Sequence, residues 1–373
     1  MPLAGLAFAA KDSYNVAGYA TGLGNPSWAR DHPPAKTTAP ARKSPRCLQA
    51  LLDAGANLAG KAAMSELAYD FSGQNYHYGT PPNTAAPCHM PGGSSSGCAA
   101  LVASGEVAFA LGGDTAGSVR VPASFCGVFS CRPSHGRVSL EGSVPLAPSF
   151  DTAGWFARDA ELLSAVGKTL LAGSAPGPAV DSWNLVTATT PARVACLLAG
   201  ACGESELCLF PHLLAAATYQ CCWPLPLPLA LQSKEVNEVL GPWVSGPTKP
   251  AVSAGIAQRL KAASLVSKQA AAAARQQADA ITTRLDSLLG TSSVLLLPTT
   301  PFPAPPLGSD LEAQPDNVGR LMALTSIASL AGLPQVSMPL ATLEDGLPVG
   351  VSIIGPRGSD EALLALAERL AAA

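Results

Sequence analysis

Short apolar runs and longer helical patterns alternate from one end of this chain to the other, an order that builds a layered α/β sheet. The first run, LAGLAFAAKD at 3–12, reads as a strand that delivers Lys11 at its C-terminal end. SPRCLQALLDAGANLAGK at 44–61 has a serine start, apolar spacing of three and four, and a glycine stop at Gly55, so it is a helix leading into a short strand. A long loop rich in Gly, Pro, Asn and aromatics follows at 64–93, of the sort that lines a site. CAALVASG is then a small helix and EVAFALGGD an apolar strand, and the segment at 115–142 holds a second serine-bearing turn, a short helix and a loop. Residues 172–250 show weak periodicity and carry no motif, whereas 251–289 reads as one or two long helices. The tail adds the strands VLLLPTT, QVSMPL and LPVGVSIIG, with a helix before QVSMPL and another closing the chain.

A length of 373 residues allows one large α/β domain or two ordinary ones. With 48% apolar and only 13% charged residues the chain should bury much of itself. The net charge of −3, with no basic cluster interleaved with aromatics, speaks against nucleic acid or an anionic membrane as partner and for a small neutral substrate. No apolar run is long enough to span a bilayer and no leader pattern precedes the first strand, so a soluble cytoplasmic protein is expected. The ten cysteines include no C-x2-C pair; they read as reduced, mostly buried thiols with no zinc site.

The run PGGSSSG at 91–97 is the most chemical stretch. It fails as a phosphate loop because Cys98 stands where a lysine is needed, and its glycines at 92, 93 and 97 do not fit the dinucleotide pattern. Gly93-Ser94-Ser95-Ser96-Gly97 matches a nucleophile elbow in form, with Ser95 as attacking group. Yet the preceding residues are polar and broken by Pro87, and no histidine follows His212 to serve as a late triad member. A hydrolase with a non-histidine base remains. Lys11 is the candidate, since a lysine in dry surroundings can lose its proton near neutral pH, although a salt bridge to Asp12 is its ordinary alternative.

Three segments together resemble the amidase signature family of Ser-Ser-Lys amide hydrolases: GLAFAAKDSYNVAGYATGLGN, PGGSSSGCAALVASG and GGDTAGSVRVPASFCGVFSCRPSHGRVS. The tail IASLAGLPQVSMPL with DGLPVGVSIIGP is similar to that family's closing pattern. GLGNPSWARDH, NYHYGTP and SFDTAGWFARD look like its plant amidase-1 branch, which hydrolyses indole-3-acetamide. The resemblance implies an α/β fold with a mixed central sheet covered by helices on both faces. It implies one domain over 1–373, with core motifs at 3–160, a variable middle at 172–250 and C-terminal helices and strands at 251–373. It places the nucleophile at Ser118, the bridging serine at Ser94 after a cis peptide bond, and the base at Lys11. Backbone N–H groups of Thr115, Ala116, Gly117 and Ser118 would hold the oxyanion, and no cofactor or metal is called for.

The sequence departs from the family at three points. Ala116 stands where a glycine is usual, and its methyl is tolerable only at backbone angles open to L-residues. Gly113 replaces a hydroxyl residue, and Lys11 lies only ten residues from the first residue given, which would leave out N-terminal helices common in the family. Two alternatives follow: a catalytically weakened amidase fold used for docking, and an ammonia supplier like the glutamyl-tRNA amidotransferase A subunit. Asp114 and Arg120 read as loop-bracing groups, and Trp28, Tyr76, Tyr78 and Trp155 as core aromatics before they are substrate walls. Oligomeric state is not legible.

Overall fold

A nine-stranded sheet runs through the computed structural model, which describes residues 1–33, 44–175, 177–180, 182–187, 226–311 and 315–373. Its strands are β1 (Ala7–Lys11), β2 (Asn57–Ala62), β3 (Phe109–Asp114), β4 (Phe129–Arg132), β5 (Thr152–Ala157), β6 (Asn184–Thr187), β7 (Ser293–Pro298), β8 (Gln335–Thr342) and β9 (Pro348–Ile354). They lie in the order β2-β1-β3-β5-β4-β8-β9-β7-β6. The pairs β1–β2, β1–β3 and β6–β7 are parallel and the others antiparallel, so the sheet is mixed.

The helices are α1 (Pro26–Asp31), α2 (Arg46–Asp53), α3 (Ser96–Ala103), α4 (Arg120–Cys126), α5 (Ala160–Leu171), α6 (Pro226–Val244), α7 (Ala254–Ser264), α8 (Lys268–Leu289), α9 (Pro315–Ala331) and α10 (Asp360–Ala371). Alternation along the strands decides which helix each face receives. Phe8, Ala10, Phe109, Leu111 and Trp155 point to the face covered by α2, α5 and α10. Ala9, Ala110 and Phe156 point the other way, against α3 and α4. Apart from Phe156 the strand side chains named there are alanines, which lets α3 and α4 approach the sheet. A further cluster joins α6, α7 and α8 to Trp28, Met64 and Leu67.

The pattern at 251–289 resolves into two helices, with Ser267 capping α8 through a bond from Ala270 N. The expectation of loop and short helix over 115–142 misses β4, and β5 is missed just after it. Both are buried along their whole length, so neither shows the period-two pattern that marks a half-exposed strand. In the unreadable middle, β6 and α6 are present. Cys47, Cys98, Cys126 and Cys131 are buried free thiols and Cys88 is exposed. Cys196, Cys202, Cys208, Cys221, Cys222 and His212 lie outside the described residues.

Candidate active site

Parallel pairing of β1 with β3 sets their C-terminal ends side by side, where Lys11 meets Gly113 and Asp114. Lys11 Nζ donates to Ser94 Oγ at 2.7 Å and to the Gly113 carbonyl at 3.2 Å. The ordinary partner considered for it, Asp12, is instead bound to Lys61 at 2.6 Å. Burial pulls the Lys11 ammonium from 10.5 down to about 8, against Cys98, Asp114 and Asp151, which favour its charged form.

Ser94 is held by its backbone. The Gly93–Ser94 peptide is cis, Ser94 O accepts from Ser65 N at 3.0 Å, and Gly93 N donates to Phe71 O at 2.7 Å. A Cβ at Gly93 would stand 2.7 Å from Asp70 O, so no larger residue fits between these two loops. Ser95 N donates to Ser118 O at 3.1 Å, and Ser95 Oγ donates to Gly113 O at 3.2 Å, which ties the serine run to the second turn.

Asp114 organises that second turn. Its carboxylate accepts from Gly117 N and Val119 N, each at 3.0 Å, and binds Arg120 at 2.7 Å and Arg132 at 2.8 Å, all without solvent contact. Burial opposes its charge, yet the two guanidiniums hold the carboxyl far below the usual carboxylate range. Arg120 Nη1 continues to Thr325 O and Gln335 Oε1, and Nη2 to Ser329 Oγ, so the loop-bracing role read from sequence extends across the molecule. Arg132, read only as part of a loop, is drawn down to about 10 by burial, with Asp114 opposing. Asp151 accepts from Thr115 Oγ1 at 2.6 Å and from Leu146 N at 2.8 Å. Arg132 lies 18 residues from Asp114 and Asp151 lies 36 from Thr115, and a charged residue inside an apolar strand is the one signal for Arg132.

Of the four backbone donors expected to surround an oxyanion, Gly117 N–H is already committed to Asp114. Thr115, Ala116 and Ser118 N–H have no acceptor among the described residues. Gly117 has φ +127°, and a Cβ there would stand 2.9 Å from Thr325 Cγ2, so this position requires glycine. Ala116 has no positive φ, so its methyl is compatible with the turn.

Ser118 and Ala116 close the floor of a cavity of about 660 Å³. One side is Ala68–Phe71 of the long loop, and the rest comes from α6, α7 and α9, among them Leu229, Gln232, Arg259, Val318 and Met322. Arg259 lies over the Tyr69 ring, 5.5 Å from its centroid, and donates to Tyr69 O. Among the described residues the Ser118 hydroxyl has no side-chain hydrogen bond, and so faces the cavity without a partner. Trp155 is core, its indole bound to Leu163 O, and Trp28 stacks on His32 at 3.8 Å. Tyr76 and Tyr78 are not core: they are 81% and 57% exposed, because the loop that carries them turns outward. Among the described residues no cluster of His, Cys, Asp and Glu could hold a metal ion, and no helix is long and apolar enough to cross a membrane.

Residues 1–178 and 207–364 match the family model described as Amidase. The chain is 39% identical over 405 aligned positions to Amidase 1 of Arabidopsis thaliana, covering 99% of this chain and 93% of that protein. It is 33% identical to Translocon at the outer membrane of chloroplasts 64 of Pisum sativum, covering 97% of this chain and 65% of that one. Among solved structures, one described as a crystal structure of amidase superposes with a TM-score of 0.80 at 29% identity, covering 100% of this chain and 85% of its own.

Proposed function

The chain belongs to the Amidase family and is an amide hydrolase, and from that premise we propose that it cleaves small aryl-acetamides, indole-3-acetamide among them, by a Ser118–Ser94–Lys11 relay. The contact that carries this reading is the 2.7 Å bond from Lys11 Nζ to Ser94 Oγ, made by a lysine that burial brings to about 8. At neutral pH a useful fraction of such an amine is uncharged and has the lone pair a base needs.

Neutral Lys11 takes the Ser94 proton while Ser94 takes that of Ser118, and Ser118 Oγ attacks the amide carbonyl. Among the described residues Ser118 Oγ makes no hydrogen bond, so its rotor is free to turn to Ser94 as the amide seats, a tightening common on substrate binding. The tetrahedral oxyanion lies against the N–H groups of Thr115, Ala116 and Ser118, while Gly117, bound to Asp114, fixes the turn that aims them. The relay returns its proton to the leaving nitrogen and ammonia departs. Water then gives a proton to the same relay, attacks the acyl-enzyme and releases the acid. The cavity fits the substrate class: Phe71, Met322, Val318 and Leu229 offer an apolar lining for an aromatic acyl group. The continuous nine-stranded sheet supports reading 1–373 as a single domain, and we place the protein in the cytosol.

Ammonia release from indole-3-acetamide, phenylacetamide, an aliphatic amide and glutamine, with Ser118→Ala in parallel, tests the assignment. The aryl-acetamides should lead, and Ser118→Ala should remove about 10⁴-fold or more of the turnover. Full activity in Ser118→Ala would overturn the mechanism, and a preference for glutamine would move the protein to ammonia supply. No release from any amide by folded protein would favour docking.

A further inference from the structure

Two motifs take no part in the serine chemistry, GLGNPSWARDH at 22–32 and NYHYGTP at 75–81. They meet at Glu66. Its Oε1 accepts from Asn25 Nδ2 at 2.6 Å and lies 2.8 Å from His77 Nε2, and its Oε2 accepts from Ser253 N at 3.1 Å. A carboxylate only accepts, so His77 carries its hydrogen on Nε2, and the second Asn25 amide hydrogen goes to Ala251 O at 2.8 Å. Asn25 Oδ1 meanwhile caps α1 through Ser27 N. Glu66 is 3% exposed and the His77 side chain 10%, so these bonds form largely away from competing water.

The position of this cluster matters more than its strength. Glu66 lies two residues before Ala68–Phe71, one side of the cavity over Ser118, and Ser253 immediately precedes α7, whose Gln258, Arg259 and Ala262 form part of the rest. The loop and α7 are therefore joined by Glu66 to Ser253 and again by Arg259 to Tyr69 O. Between these ties Leu67 and Ala68 have φ of 53° and 58°, left-handed backbone that side-chain-bearing residues hold only where surrounding contacts enforce it. Leu67 N is pinned to Leu23 O at 2.9 Å, again from the first motif.

We infer that Glu66, with Asn25 and His77, is a positioning clamp that sets the width of the cavity above Ser118 and thereby selects for a bulky planar acyl group over a small one. The inference rests on the hydrolase reading only for the identity of the reacting bond. The acid product is a probe of the acyl pocket that needs no catalysis.

Calorimetric binding of phenylacetate and of acetate to the full chain tests it, with phenylacetamide and acetamide hydrolysis measured alongside. His77→Leu should weaken phenylacetate binding and raise the KM for phenylacetamide by about tenfold, leaving acetate binding and the acetamide kcat within about twofold. His77→Gln, which can restore a donor to Glu66, should recover most of the loss. Equal losses on both ligands, or no change on either, would overturn the clamp. Because His77→Leu leaves a buried carboxylate with one donor fewer, Glu66→Gln serves as the second variant, with melting temperature confirming the fold; it too must discriminate between the ligands. Should wild-type protein bind phenylacetate yet hydrolyse no amide, the hydrolase reading fails while the binding comparison still decides the clamp.

Discussion

The floor of the site and its walls are built on opposite principles. On the floor, Lys11, Ser94, Asp114, Arg120 and Arg132 are almost wholly buried, and the Asp114 carboxylate is saturated by Gly117, Val119 and Arg120 of its own turn together with Arg132 of β4. The walls from α6 and α7 are half open, with Leu229 43% exposed and Gly255 and Gln258 facing solvent. A buried polar network tolerates little change because each lost partner leaves an unsatisfied group. A half-exposed apolar wall gives up only contact area. Reaction type therefore belongs to the floor, and the size and shape of the accepted amide to the walls.

The sharpest challenge to that division is at Lys11. Lys11→Met should cut kcat by about 10²–10⁴-fold while leaving the protein folded, because an apolar side chain of similar length fills the same buried space. Wild-type activity should climb as pH rises toward about 8 and then level, as the amine loses its proton, and the variant should lack that limb. The folded state also holds fewer protons than the unfolded one between about 8 and 10.5. The cost of burying the Lys11 ammonium is thus relieved as pH rises through that window, and the melting temperature of wild type should rise relative to that of the variant there. A flat rate profile in wild type would break the assignment of Lys11 to the floor.

The adjoining turn residues sharpen the comparison at a smaller scale. Gly117→Ala must place a methyl against Thr325 in a left-handed backbone, and should lower kcat by roughly 10²-fold. Ala116→Gly, one position earlier, should change it by less than about threefold, because that backbone already suits an L-residue. In the wall, Leu229→Ala should raise the KM for phenylacetamide by roughly threefold to tenfold and leave kcat unchanged. A kcat loss there matching that of Gly117→Ala would show that wall and floor are not separate.

Legibility in the sequence follows the same boundary. Lys11 at a strand end, the Gly/Ser run and the turn at 114–118 are local patterns visible in the sequence, and the structure brings Lys11 to Ser94 and ties Ser95 to Ser118. Arg132 with Asp114, Asp151 with Thr115, and Glu66 with Ser253 are pairings across the fold, invisible until the chain is closed. Strands β4 and β5 escape because burial on both faces erases their alternation. Helix α6 escapes because Leu231, Val236 and Leu240 are buried toward α7 and α8 while Leu229 and Gln232 line the cavity, so no single apolar stripe marks it.

Arg120, two residues beyond Ser118, finds its outer partners in Thr325, Ser329 and Gln335, 205 to 215 positions further along the chain. On a ribosome that interval is a delay. The first half of the sheet can assemble as it emerges, but the turn that carries Ser118 has its guanidinium held by Asp114 alone until β8 and the end of α9 arrive and dock. A chain cut short before Gln335 therefore holds Lys11, Ser94 and Ser118 without the complete brace on the turn that carries Ser118.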